Sequence, residues 1–403
     1  MAVILQAERW RWTTVTAALI LIAAATLIPV TGEPAGAALP FWCVACGDYD
    51  LADALANVAL FAPLGWAVAR TGAGPGRGVA LILATTLAVE WLQHAVVPGR
   101  VASGSDVVAN TVGGIVGMAL PGLRRWVAAS QGRALGATAI YGTLLVAGVS
   151  GGVAMQAVPM PRSLRWMEES PPLPGYMPFA GTLEAVRVNG AGVALRDWAV
   201  VPPRDLADVA VDLVSAAPDA RRAEIISADQ PAGPKWMWVD QQDRDLQLHL
   251  ASAADGVLLR SHALWVRDVM PGVAGEAMTI QVDVRTFSYR MRIKTTRGEV
   301  ARSWSMSPGD GWRLFAPFER SREPFAPLLS GVWLAALAAP LGYLASLRSR
   351  AAVLVSAAGA GAYVLLLPLI SGCAWLPVSG WCGAIGGLAL GVGAGRIVGV
   401  SVG

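Results

Sequence analysis

Charge is scarce in this chain of 403 residues: 15% are Asp, Glu, Lys or Arg, where a soluble globular protein carries about a quarter. A wholly soluble fold is thereby disfavoured, and a mean hydropathy of +0.51 agrees. The net charge is only +3 and is spread along the chain, so no electrostatic footprint for nucleic acid exists. Cysteine is sparse as well, four in all, too few for a disulfide scaffold. The glycine-rich C-terminal stretch follows no strand pattern and leads to no lysine, which argues against a phosphate-binding loop.

Long apolar runs are what the chain has instead. About eight are long enough to cross roughly 30 Å of hydrocarbon, near residues 13–30, 52–69, 78–97, 105–122, 137–157, 326–346, 352–370 and 383–400. Arginine sets their direction. Arg9 and Arg11 precede the first run, and Arg70 and Arg77 fall between the second and third. Arg124, Arg125 and Arg133 separate the fourth from the fifth, and Arg348 and Arg350 the sixth from the seventh. Every alternate loop is basic, as cytoplasmic loops are. The expectation is a multi-pass protein of a bacterial-type cytoplasmic membrane with both termini in the cytoplasm. The first run, with Ala35–Gly36–Ala37 after it, reads as a retained anchor, because it is long for a cleaved signal.

Residues 160–324 differ in kind. Apolar residues alternate with polar ones, as in Leu183, Val186 and Val188, in Leu246, Leu248 and Leu250, and in Ile280, Val282 and Val284, then Met291 and Ile293. Asn189–Gly190, Ala232–Gly233–Pro234 and Pro308–Gly309–Asp310–Gly311 punctuate the runs. Short period-2 segments between turn residues predict a β-sandwich, placed outside the cytoplasm by the arginine pattern. The predicted fold class is therefore a polytopic α-helical membrane protein with an inserted all-β jelly-roll sandwich. Its expected parts are a bundle over 1–158, the sandwich over 159–325 and C-terminal helices over 326–403.

Polar residues inside apolar helices are costly and mark functional or packing positions. Asp53 and Asn57 share one helix face in the second run; Glu90, Gln93 and His94 share one in the third. Arg100 lies in the short loop that follows, and the fourth run opens with Ser103, Ser105 and Asp106, with Asn110 one turn on. The alternating directions put all of these at one depth near the outer surface. Asp53, Glu90 and Asp106 are candidate acid/base groups or ligands of a divalent cation. Asn57, Gln93, His94, Arg100 and Asn110 are candidate substrate-binding groups, with Arg100 suited to an anion such as phosphate. The alternative is that these groups knit the bundle together through interhelical bonds and helix capping.

The string Asp53-x-x-x-Asn57-x-x-x-Phe61-x-Pro63-x-Gly65, then Glu90-x-x-Gln93, Arg100 and Asp106-x-x-x-Asn110-Thr111-x-Gly113, resembles the VanZ-like family of membrane proteins over residues 13–125. The founding member is associated with resistance to the glycopeptide teicoplanin, so the resemblance implies a role at the cell envelope. It implies membrane lipid as a surrounding, and an envelope glycan or lipid-linked precursor as partner. The insert resembles the laminin-G or concanavalin A-like jelly rolls on residues 224–228, 235–238 and 246–250, which implies glycan or protein binding. Trp236, Trp238, Trp265, Trp304 and Trp312 are either sugar-stacking or core residues. No Glu-x-Asp-x-Glu run of the glycosidase kind occurs, which disfavours a hydrolase of that type.

Cys43, Cys46, Cys373 and Cys382 fall in predicted outer loops, where disulfides persist. They are disulfide candidates with three possible connectivities. A four-cysteine zinc site is the alternative. Gly383, Gly387, Gly391, Gly395 and Gly399 recur every fourth residue and predict one helix stripe for close packing, as do Gly113 and Gly117. His249 and His262 have no spaced partner and read as structural. The expected function is a cell-envelope membrane protein with an outward polar pocket for a lipid-linked or polar substrate. The alternative is a scaffold for polysaccharide or exported-protein assembly.

Overall fold

A computed structural model describes residues 2–28, 50–97, 102–160, 162–168, 176–200, 207–231, 235–261, 263–316, 324–347 and 350–400. The chain forms two compact units, Met1–Ala137 and Thr138–Gly403.

The first unit holds α1 (Ala2–Thr26), α2 (Asp50–Thr71), α3 (Pro75–Ala95) and α4 (Gly104–Ala128). The turn between α2 and α3 is written in its residues. Gly72 takes φ +85° just past the end of α2, a left-handed position that favours glycine. Pro75 then opens α3, where its missing N–H costs no helical bond. Val15 and Ile22 of α1, Phe61 and Leu64 of α2, and Ile82 and Val89 of α3 form the apolar core. α2 and α4 approach backbone to backbone. A Cβ on Gly113 would stand 2.3 Å from the carbonyl oxygen of Val58, and one on Gly117 2.0 Å from that of Ala62.

The second unit contains most of α5 (Gln131–Met155), a β-sandwich, and α6 (Ala326–Ser346), α7 (Arg350–Ser371) and α8 (Val378–Val400). Strands are numbered in chain order. One sheet runs β10 (Ala263–Val266), β9 (Asp245–Leu250), β8 (Lys235–Gln242), β7 (Arg222–Asp229), β1 (Ser163–Met167) and β5 (Trp198–Val200), and β2 (Tyr176–Pro178) joins β7 in parallel. The other runs β13 (Gly298–Ser305), β12 (Ser288–Thr295), β11 (Ala277–Arg285), β6 (Ala207–Val214), β3 (Thr182–Val188) and β4 (Ala191–Val193).

The alternating residues picked out in the sequence line the core between the sheets, Val186, Leu248, Val282 and Met291 among them. Asn189 and Gly190 both take positive φ and close the β3–β4 hairpin, as an Asn-Gly turn does. Pro308–Gly309–Asp310–Gly311 is more than a turn. It opens a buried 3₁₀ segment, Pro308–Leu314, in which Trp312 Nε1 donates to Ser330 Oγ of α6 at 3.0 Å. Ala232–Gly233–Pro234 lies outside the described residues.

α5, which the sequence groups with the preceding helices, bonds to α6 and α7. Tyr141 Oη donates to the Leu337 carbonyl at 2.8 Å, and Ser150 meets the Tyr363 hydroxyl. α8 lies against α6 along its glycine stripe, where a Cβ on Gly387 would stand 2.3 Å from the Ala335 carbonyl oxygen. Among the described residues seven helices, α2 to α8, are long and apolar enough to cross a membrane, and the apolar stretch of α1, Trp12–Thr26, is shorter. Their outward faces are apolar, with Leu354, Val355 and Ile370 of α7 all strongly exposed. Such a surface suits lipid rather than water.

Candidate functional site

The polar residues of the first unit meet where α2 and α4 begin and α1 and α3 end. Close packing of α2 on α4 sets Asn57 beside Asp106, and Asn57 Nδ2 donates to Asp106 Oδ1 at 2.6 Å. α3 closes the group. Asn110 Nδ2 donates to Thr86 Oγ1 at 2.8 Å, and Gln93 Nε2 donates to the Thr26 carbonyl of α1 at 3.0 Å. Glu90, Gln93, Asn110 and Thr86 are all buried.

Glu90 is held in an instructive way. Its Oε2 accepts the backbone N–H of Ser103, the N-cap of α4, at 3.0 Å. In a capping box that N–H is taken by a side chain of the same helix; here α3 supplies it. Ser103 in turn accepts from the Ser105 N–H, and the two hydroxyls lie 2.5 Å apart. A helix N-terminus favours negative charge, so the start of α4 offsets part of the cost of burying Glu90. Among the described residues Glu90 forms no ion pair. The Oδ1 of Asn110 is buried with no hydrogen-bond partner among the described residues.

Of the residues singled out in the sequence, Asn57, Glu90, Gln93, Asp106 and Asn110 come together. Asp53 lies one turn before Asn57 on the exposed side of α2, and His94 is exposed at the end of α3. Arg100, Cys43, Cys46 and His262 lie outside the described residues. Cys373 is a buried and Cys382 an exposed free thiol. Burial pushes the Cys373 thiol up, so it stays protonated and unreactive. Among the described residues no group of three His, Cys, Asp or Glu side chains converges as a metal site.

Sequence reasoning passed over Thr86 and Thr26. Thr86 was within reach: it stands one turn before Glu90 on the same face of α3. Thr26 acts through its backbone carbonyl, and no side-chain pattern signals that.

Residues 1–125 match the model of the VanZ/LLP1 family. The matched stretch spans α1 to α3 and nearly all of α4, and so contains the whole cluster. The chain therefore carries a VanZ-like region, which suggests a cell-envelope membrane protein, and its apolar helices suggest that it is multi-pass. Neither the curated proteins nor the solved structures contain a match to the chain.

Proposed function

We propose that the VanZ-like helices bind the polar part of a lipid-linked or otherwise polar envelope substrate where Asn57, Glu90, Gln93, Asp106 and Asn110 converge. The observation that carries this is a buried carboxylate, Glu90, with no ion pair among the described residues, in one cluster with a buried amide oxygen, Asn110 Oδ1, that takes no hydrogen bond among them. A carboxylate inside a membrane helix costs about 2.5–3.5 kcal/mol at the centre and less near the interface, and packing alone does not require one.

This end of the bundle faces away from the cytoplasm. Arg70 and Arg77 sit at the opposite end, as do Arg124 and Arg125. There Arg70 lies 4.7 Å over the Trp66 ring and Arg133 5.0 Å over that of Trp126, the residue types that gather at a membrane interface. Arg100 pairs with an anionic group of the substrate. Asp53, Glu90 and Asp106 provide acid/base or cation-binding capacity should the bound substrate react. The sandwich, of laminin-G or concanavalin A-like kind, is extracytoplasmic by the arginine pattern of its flanking loops and contacts glycan or a protein partner.

The test uses the detergent-purified full chain and a polyprenyl phosphate as probe. The wild-type chain gains thermal stability with added probe; Glu90→Gln and Arg100→Ala fold, accumulate in the membrane and lose that gain. Equal gains in all three would overturn the proposal.

A second reading is a non-enzymatic scaffold for polysaccharide or exported-protein assembly. It is favoured by the way the sandwich is tied to helices of its own unit. Besides the Trp312–Ser330 bond, the Ala374 N–H before α8 donates to the Met306 carbonyl at 2.6 Å. Deletion of 160–324 abolishes activity under this reading and spares it under the first.

A further inference from the structure

Loops between strands turn polar residues outward and keep apolar ones for the core. The loop that joins β9 to β10 does the reverse. Its centre is the 3₁₀ turn Asp255–Val257, followed by Leu258. The exposed residues along it are Ala253, Gly256, Val257 and Leu258, and neither of its charged residues, Asp255 and Arg260, is among them. Val257 and Leu258 are each 42% exposed. Ser252 and Asp255 fold back on the loop itself. Asp255 Oδ2 accepts the Ser252 N–H at 2.7 Å, and Ser252 Oγ accepts the Ala254 N–H at 3.2 Å.

The tip is also strained. Leu258 takes φ +58° and ψ +31°, the left-handed region that glycine and asparagine enter readily and a bulky side chain does not. Such conformations persist where a function holds them. A leucine kept there, with its side chain outside the core, asks what it meets.

The position of the loop supplies the answer. The Ala254 N–H donates to the Met155 carbonyl at 2.8 Å, and so takes up one of the carbonyls that the end of α5 leaves unpaired. Residues 134–155 of α5 include no charge and, at 1.5 Å per residue, extend about 33 Å. The hydrocarbon of a bilayer is roughly 30 Å thick, so Met155 stands at its edge and the loop bonded to it at headgroup level. Neighbours in the same unit agree on that level. The Arg260 N–H donates to the Leu314 carbonyl at 3.0 Å, at the end of the 3₁₀ segment whose Trp312 bonds Ser330 early in α6. Phe325, just before α6, and Trp375, between α7 and α8, are exposed there, as aromatic residues at a membrane interface are.

An exposed apolar tip marks a protein or a membrane contact. Lipid is favoured, because the loop is bonded to the end of a helix whose own Ile140 and Leu144 are strongly exposed and because the tip offers no charge or polar side chain to a protein. We propose that Val257 and Leu258 enter the membrane interface where α5 ends, so that this corner of the sandwich rests in the lipid headgroup layer. α5 already holds the loop at that depth, so two side chains suffice where a free domain would need more. The contact fixes the height and tilt of the sandwich over the bilayer.

The experiment places the full chain, with its four cysteines replaced by serine, in phosphatidylcholine nanodiscs. Val257→Cys carries an environment-sensitive fluorophore. Val273→Cys, in the β10–β11 loop, is the control. Val273 is 59% exposed and precedes the start of β11, whose far end is the one tied to the α5–β1 connection by the bond from the Val158 N–H to the Thr286 carbonyl. The fluorophore at 257 emits further to the blue than at 273, is quenched severalfold more by spin-labelled lipid, and is shielded from iodide. Leu258→Gly, which suits the left-handed backbone and removes the side chain, lowers the lipid quenching at 257. Far-UV circular dichroism confirms that each variant is folded. Equal lipid quenching at 257 and 273, iodide quenching at 257 as strong as at 273, or no loss in Leu258→Gly overturns the proposal. Shielding of 257 from both quenchers means that protein, such as a second copy of the chain, covers the tip, and overturns it as well.

Discussion

Asp212 illustrates how a single side chain of the sandwich answers to pH. It projects from the outer face of β6, where Arg187 of β3 binds both its oxygens and Thr279 of β11 donates to Oδ1 at 2.8 Å. The guanidinium of Arg187 holds its carboxyl below the ordinary 3.8. Nearby in sequence, Arg221 holds Asp219 at about 2. A carboxyl whose folded value is lowered stabilises the fold above its unfolded value, and that stability is lost as pH falls through the folded one. Melting temperature should therefore drop as pH falls from about 4 toward 2. The part contributed by Asp212 is absent from Asp212→Asn, so the variant shows a smaller difference between pH 6 and pH 3. An equal difference would mean that screening by water removes the contribution of this half-exposed pair.

At the scale of helices, α2 and α4 depend on glycine in a way that orders the polar cluster. Gly117→Val places a side chain where the Ala62 carbonyl stands, 2.0 Å from the new Cβ, and backbone rather than a movable side chain must give way. The helices separate, and the Asn57–Asp106 bond, at 2.6 Å, is lost with them. Overpacking of this kind costs about 1–3 kcal/mol or more, and probe binding by the VanZ-like region should fall with it. Gly122→Ala, later in the same helix, meets nothing within 4 Å. It is expected to be neutral or slightly stabilising, since glycine inside a helix costs about 0.5–1 kcal/mol relative to alanine. Melting temperatures of the two variants in one detergent compare them directly. Similar losses in both would remove the packing argument.

For the molecule as a whole, the proposals require the α2–α3 turn and the sandwich to lie on opposite sides of the membrane. In a background with the four native cysteines replaced by serine, Ala73→Cys in that turn should react with an impermeant maleimide only after the membrane is opened. Ser303→Cys, exposed on β13, should react in intact cells. Labelling of Ala73→Cys from outside would invert the orientation and place the polar cluster on the cytoplasmic side.

What the sequence determined by itself is whatever depends on local chemistry. Long apolar runs dictate helices, because only a helix satisfies its own backbone in lipid. Alternation dictates the sandwich core of Val186, Leu248, Val282 and Met291, and small residues every fourth position dictate that α8 packs closely on a neighbour, which the structure shows to be α6. The convergence of Asn57, Glu90, Gln93, Asp106 and Asn110 was legible for the same reason, since helix periodicity and alternating direction place side chains without knowledge of packing. Tertiary structure alone decided which partner each group takes. Glu90 caps a neighbouring helix, and Gln93 reaches a backbone carbonyl of α1. It also decided the tip of the β9–β10 loop, which was hidden because Val257 and Leu258 read in sequence as two more apolar residues between strands. Whether such residues join the core or stand outside it depends on how the loop seats on the end of α5, far away in the chain, and no local pattern carries that information.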